Sequence, residues 1–229
     1  MKPALRAVTD GSKARARRVP KQERSIESRA KALQGARAAL AESGYGNFTM
    51  RGVAAVSSLG VGTIYDYFES KGAILRLLLK ERLALHLEIF DETIEETTNE
   101  TPVAEFIDRY LERMRAEDMW SRYDVELYAA ARDDDALAEL LDRHHEDFTN
   151  RYVDALRAAG SKWPDADLRA VASHLISVMR QFEPGAIVPK DNHALRVKVW
   201  MVRKTFLSIV REVLTTDAGD FSLASRQRF

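Results

Sequence analysis

Thr49, Arg51, Thr63, Tyr65, Asp66, Tyr67 and Lys71 crowd hydroxyls, cations and one carboxylate into a short stretch of the chain. These are groups for reversible hydrogen bonding rather than a nucleophile with its base. An arginine reaches a phosphate or a guanine edge, a carboxylate accepts from a cytosine amino group, and hydroxyls serve either bases or phosphates. Val61 and Gly62 sit among them, the first offering apolar contact and the second a bare backbone.

Bond-breaking chemistry has little to stand on. The histidines are His86, His144, His145, His174 and His193. Di-iron bundles use paired Glu-x-x-His motifs on facing helices, whereas Asp142-Arg143-His144-His145 gives a single Asp-x-x-His on an acidic helix, which reads as a solvated face. Gly60-Val61-Gly62 is too short for a phosphate loop, and neither a nucleophile elbow nor a zinc-protease motif is present. The absence of cysteine excludes disulfides and thiolate metal sites and fits a reducing cytoplasm. No cofactor and no metal are expected, and a helical-bundle enzyme is the weakest reading.

The elements that must position the polar groups follow from the stretch Phe48 to Leu75. Thr49 caps a short helix carrying Val53, Ala54 and Val56; Ser57-Ser58-Leu59-Gly60 breaks it; a second helix runs from about Val61 to Tyr67. Ser70 caps a third helix starting at Lys71. Two short helices joined by a tight turn form a helix-turn-helix, whose second helix enters the major groove of DNA. Upstream, Ile26, Ala30, Leu33, Ala36, Ala39 and Leu40 give one apolar helix face, which Gly44 ends. This helix should share a small core with Phe48, Val53, Val56, Ile64 and Phe68. Lys71, at a helix N-terminus, and Thr49 are expected at phosphate.

Gly62-Thr63-Ile64-Tyr65-Asp66-Tyr67-Phe68-Glu69-Ser70-Lys71 resembles the signature G-T-L-Y-x-Y-F-x-S-K of the tetracycline-repressor (TetR) family of bacterial transcription regulators. Ala38, Glu42, Gly44-Tyr45, Thr49 and Val53-Ala54 fall in step with it, and the likeness spans roughly Arg24 to Leu79. The family turn usually reads A-G-V-S. Here Ser58 replaces its glycine, asking a residue with a side chain to adopt a left-handed conformation at a cost of about 1 kcal/mol. Gly60 replaces the capping serine, a change of only a few tenths of a kcal/mol. The resemblance places Arg51, Thr63, Tyr65, Tyr67 and Lys71 at positions that contact DNA in the family.

The 229 residues are formally neutral, 31% charged and 45% hydrophobic, without an apolar run long enough to span a membrane. The N-terminus is basic but lacks the apolar segment of a secretory signal. Charge is uneven: residues 1–75 carry 13 Lys/Arg against 6 Asp/Glu, and the remainder 22 against 29. That is the footprint of a nucleic-acid-binding end on an acidic body. Residues 1–24 form a basic arm expected to be disordered alone and able to reach phosphates or a minor groove. Residues 25–75 form the DNA-binding domain, 76–216 a helical body, and 217–229 a tail.

In the body, apolar periodicity predicts helices over Lys71 to Thr97, Pro102 to Ala116, Asp118 to Arg132, Asp135 to Ala159, Asp165 to Gln181 and Asn192 to Thr215. Strand-like alternation is absent, so the chain is all-α, with three helices for DNA and six for the body. In the last helix Leu195, Val199, Val202, Phe206, Ile209 and Val213 step as a heptad stripe, and Val197, Trp200, Leu207, Val210 and Leu214 form a second. A helix apolar on two sides needs two partners. The resemblance implies a homodimer in which these residues and Val171, Leu175 and Met179 of the preceding helix build a four-helix bundle. It also implies a small effector held within the body, for which His86, Phe90, Met114, Met119, Trp120, Tyr123, Tyr128, Phe148, Tyr152, His174 and Phe182 are candidates. The expected function is a cytoplasmic repressor released from operator DNA by that effector; a regulator without a small-molecule ligand is the alternative.

Overall fold

The computed structural model describes residues 21–97, 103–119, 121–179 and 192–216. The basic arm up to residue 20, Trp120, Phe182 and the tail from 217 lie outside them. The described residues form nine α-helices and no strands: α1 (Lys21–Asn47), α2 (Met50–Ser57), α3 (Val61–Tyr67), α4 (Lys71–Thr97), α5 (Val103–Ala116), α6 (Arg122–Ala130), α7 (Asp135–Ala158), α8 (Asp165–Met179) and α9 (Asn192–Thr215).

Local signals set most boundaries. Thr49 caps α2, its hydroxyl oxygen accepting from the Gly52 N–H at 3.0 Å, and Ser70 caps α4 in the same way through Ala73 N–H at 3.1 Å. Gly44, at φ 74° and ψ 165°, interrupts α1 in a conformation that glycine adopts without strain. Ser58 takes the left-handed conformation (φ 54°, ψ 35°) that its place in the turn demands. The helix expected from Asp118 begins only at Arg122: Asp118 has φ 49°, and Asp124 accepts from the Ser121 N–H and hydroxyl at 3.1 and 2.9 Å. Asp134 caps α7 by accepting from the Ala136 and Leu137 N–H groups.

Two apolar cores result. The first joins Leu33, Ala36 and Leu40 of α1 to Phe48, Val53, Ile64, Phe68 and the first half of α4, and it also takes in Leu127 and Ala130 of α6 and Leu137 of α7. Val56, expected in this core, is instead 41% exposed; a helix as short as α2 buries only one narrow face. The second core lies in the body and gathers Phe90 of α4, Phe106 and Tyr110 of α5, Phe148 and Tyr152 of α7, and the inner faces of α8 and α9. Because α4 belongs to both, it links them.

The stripe assigned to the dimer turns inward. Val202 and Phe206 are each 2% exposed, and Leu175 and Met179 are also buried. Phe206 stacks on Phe106 with centroids 5.9 Å apart. Val171, Val199 and Ile209 are partly buried against the same core, and the side chain of Leu195 lies outside the described residues. Heptad spacing identifies an apolar face but not what covers it; here the chain's own α5 and α7 do. The outward face of α9 carries Val197, Trp200 and Met201, at 42, 58 and 56% exposure.

Gly35 fixes how α1 meets the helix-turn-helix. A Cβ at that position would lie 2.6 Å from the Ser57 Cβ and 2.9 Å from the Ser57 backbone nitrogen, so α2 would have to move. Gly35→Ala should cost about 1–3 kcal/mol by overpacking. Urea unfolding measures the loss; a midpoint equal to that of the wild type would mean that α2 yields without cost.

Candidate functional site

The helix α3 is seven residues long and holds its place through Ile64, which is fully buried, and the adjoining Phe68. That anchoring turns the opposite side out. Tyr65 is 54% exposed and Val61 38%, while Gly62 and Asp66 are exposed between them. Nothing lies within 4 Å of where a Gly62 Cβ would stand, so another surface can approach the backbone there. Thr63 is half-buried at the edge. Arg51, the second residue of α2, is exposed and makes no ion pair among the described residues; Thr49 is exposed beside it. Val61, Gly62, Tyr65, Asp66, Arg51 and Thr49 therefore stand on accessible surface of the motif, with Thr63 at its margin.

Two expected contacts are placed differently. Lys71 donates from Nζ to the Tyr45 carbonyl at 2.7 Å and lies 4.2 Å over the Tyr45 ring, and burial lowers its pKa. Its cation is engaged at the end of α1, where the Tyr45 carbonyl accepts from both Lys71 and the Phe48 N–H. Tyr67 is half-buried, and its hydroxyl donates to Ser25 Oγ at 3.4 Å.

Behind the motif, α6 forms a polar joint. Glu126 Oε2 accepts from the Tyr45 N–H at 2.8 Å, so the residue whose carbonyl takes Lys71 is also held through its amide. Arg82 of α4 donates through Nε to Asp124 Oδ1 at 2.5 Å and through Nη2 to Oδ2 at 2.7 Å, and it also donates to the carbonyls of Glu117 and Asp118. The Asp124 side chain is 1% exposed. Burial, the largest influence on that carboxyl, outweighs Arg82 and Ser121 and raises its pKa above the ordinary 3.8. Burial likewise pushes the Tyr123 phenol up to about 12; its hydroxyl donates to the Leu78 carbonyl. Nothing local in the sequence pairs Arg82 with Asp124.

The candidates for an effector cavity separate. Phe90 and Phe148 pack edge to face with centroids 4.9 Å apart, and with Tyr110 and Tyr152 they fill the body core. Met114 and Met119 are buried in the same core. Tyr123 packs against the first core and Tyr128, partly buried, is on the same helix, whereas His174 is exposed on α8. His86 Nδ1 stands 2.9 Å from His144 Nε2, and His86 Nε2 hydrogen-bonds with the Tyr110 hydroxyl. Tyr123 lines a charged hollow of about 600 Å³ with Arg37, Glu81, Arg82 and Arg122; the apolar open space lies elsewhere. A groove of about 370 Å³ runs beside the C-terminal end of α4, lined by Ile94, Thr97, Phe106, Tyr152, Ala155, Leu156, Ala158, Ala159, Phe206, Val210 and Leu214. Of the described candidates only Tyr152 lines it. Ring type identified large apolar side chains, and these fill space instead of leaving it. No group of three or more metal-ligating side chains occurs among the described residues, and none of the described helices is long and apolar enough to cross a membrane.

Burial, then His144 and Arg82, lower the His86 pKa to about 3. The folded state thus resists a proton that the unfolded chain takes up near 6.5. Stability from this group is complete above that unfolded value and is lost as the pH falls toward 3. Melting temperature should decline over that range in the wild type and decline less steeply in His86→Gln; parallel curves would show that His86 is not the group responsible.

A model of the bacterial regulatory proteins of the tetR family matches residues 32–78. No curated protein sequence matches the chain. Among solved structures, Salmonella enterica GusR superposes with a TM-score of 0.62 at 19% identity, covering 83% of this chain and 97% of that one. A protein of Mesorhizobium loti described as a TetR-family transcriptional regulator gives 0.61 at 16%, covering 81% and 98%. The multidrug binding protein EbrR, complexed with imidazole, gives 0.55 at 18%, covering 79% and 93%. At these identities the likeness is one of fold.

Proposed function

We propose that this chain, whose residues 32–78 match the model of the tetR family of bacterial regulatory proteins, is a DNA-binding transcription regulator of that type, a cytoplasmic homodimeric repressor that a small molecule releases from its operator. The observation that carries the DNA side is the exposed face of α3, with Val61, Tyr65 and Asp66 turned out by the burial of Ile64. Tyr65 and Thr63 offer hydroxyls to base edges, Asp66 an acceptor for cytosine, Val61 an apolar contact for a thymine methyl, and Arg51 a phosphate or guanine contact. Selection of bound duplexes from a random pool tests this: a palindromic site with half-sites one or more helical turns apart is expected. Recovery of no preferred sequence would remove the reading.

The dimer belongs on the outward face of α9. Val197, Trp200 and Met201 are large apolar groups left to solvent in one chain, and Ala170, His174 and Ser177 form the exposed side of α8. Trp200→Glu would place an unpaired carboxylate in that interface, a cost of several kcal/mol, while leaving the chain's own core intact. Sedimentation should find folded monomers; a dimer of normal mass would place the interface elsewhere.

Release requires that a ligand favour one arrangement of the body over another. The helix α4 runs from the motif to the cavity, about 40 Å at 1.5 Å per residue. The joint of Arg82, Asp124, Glu126 and Tyr45 ties the same body to the end of α1. EbrR was solved with imidazole bound; this similarity of fold and the groove beside Tyr152 support ligand binding in this chain.

A further inference from the structure

The groove beside the end of α4 carries more chemical information than its volume. Its size falls within the range of roughly 300–1,000 Å³ typical of small-molecule sites. Among the described residues no Lys, Arg, Asp or Glu lines it. Thr97 lines it but donates its hydroxyl to the Thr93 carbonyl. Among the described residues the remaining polar wall side chain is Tyr152, whose hydroxyl is buried with no hydrogen-bond partner there. The ring cannot turn to find one: Phe90, Phe148 and Phe206 surround it at centroid distances of 4.7, 5.2 and 6.4 Å. Buried hydroxyls are ordinarily paired, so an unpaired one beside an apolar groove needs an explanation.

We propose that this groove binds an uncharged, largely apolar molecule bearing a single hydrogen-bonding group, such as a ketone or alcohol oxygen, that pairs with the Tyr152 hydroxyl. This deepens the reading of the chain as a ligand-released regulator and rests on it for the consequence of binding, though not for binding itself. The apolar walls accommodate a hydrocarbon or aromatic frame. An ionised carboxylate or ammonium would be stripped of water with no counter-charge among the described wall residues to receive it.

The test uses the full chain and N-phenyl-naphthylamine, an uncharged apolar dye that brightens on leaving water. The dye should bind, and methyl octyl ketone and decanol should displace it at lower concentration than decanoate or decyltrimethylammonium. Tyr152→Phe keeps the ring and its packing, so dye affinity should hold while ketone affinity falls about 2- to 10-fold, the range of one net hydrogen bond. Ala155→Trp should fill the groove and abolish dye uptake. A wild type that takes up no dye overturns the proposal, whether its own chain or a second copy covers the groove. So does a preference for either charged amphiphile, or a ketone affinity unchanged in Tyr152→Phe. Ketone binding through Tyr152 without any change in operator affinity would leave the proposal standing and remove the effector-release reading. Operator release by another molecule, with the groove silent to the dye, would do the reverse.

Discussion

Arg82→Ala should lower the unfolding free energy by about 3–5 kcal/mol, the usual cost of removing one partner from a buried ion pair. The Asp124 side chain is 1% exposed and would keep its charge with only the Ser121 N–H and hydroxyl donating to it and no guanidinium opposite. The carbonyls of Glu117 and Asp118 would lose their donor as well. Against a typical total of 5–15 kcal/mol, this is enough to unfold a marginal chain. The loss should depend on pH in a definite direction. The Asp124 carboxyl already titrates above 3.8, so its contribution to stability is complete below that value and declines as pH rises through the raised one. Without Arg82 the carboxyl titrates higher still, and acidification from about pH 7 toward 4 should return part of the lost stability by protonating it. Arg82→Lys keeps a cation but loses the fork that serves carboxylate and carbonyls together, and should recover only part. Urea titrations at several pH values measure all three proteins. An Arg82→Ala loss of less than about 1 kcal/mol would mean that water or a rearranged α6 replaces the guanidinium.

Sequence reasoning located elements well and surfaces poorly, for one physical reason. Thr49, Gly44, Ser58 and Ser70 act through hydrogen bonds and dihedrals within a few residues, so α2, α3 and the whole of α4 from Lys71 to Thr97 could be read without knowing their surroundings. Which face meets which neighbour depends on the rest of the chain. Val56 lies in an apolar run yet points out; Phe206 lies on a heptad stripe yet packs against its own α5. Lys71, in a motif that suggested an extended cation, has the carbonyl and ring of Tyr45 within reach. Pairs such as Arg82 with Asp124 and Glu126 with Tyr45 join residues 42 and 81 positions apart, beyond any helical period. Of the groove's described walls only Tyr152 was expected at the effector, because most rings chosen by type fill the core. The groove's walls are partly alanines, Ala155, Ala158 and Ala159, whose small size leaves the space.

Placement of the motif's side chains leads to a contrast among three substitutions. Arg51→Ala and Tyr65→Ala remove exposed groups and should leave stability within about 0.5 kcal/mol of the wild type. Each base contact contributes about 1–3 kcal/mol of discrimination, and a homodimer loses it twice. Tyr65→Ala should therefore weaken operator binding by about 2–6 kcal/mol, roughly 30-fold or more, and bind random DNA nearly as before. For Arg51→Ala, salt dependence separates two roles. A lost phosphate contact lowers the log–log slope by about 0.9 for each half-site and weakens all sequences alike. A lost guanine contact relaxes preference at one position instead. Lys71→Ala should behave differently from both, because its ammonium holds the Tyr45 carbonyl and covers the Tyr45 ring. Its main effect should be a lower melting temperature, with operator affinity reduced through displacement of the end of α1. Titrations of operator and random duplexes at several salt concentrations, paired with melting curves, distinguish the three. Operator affinity unchanged in both Arg51→Ala and Tyr65→Ala would show that the exposed face of α3 is not the surface that reads DNA. A Lys71→Ala variant that melts normally but loses salt slope would return that lysine to the phosphate.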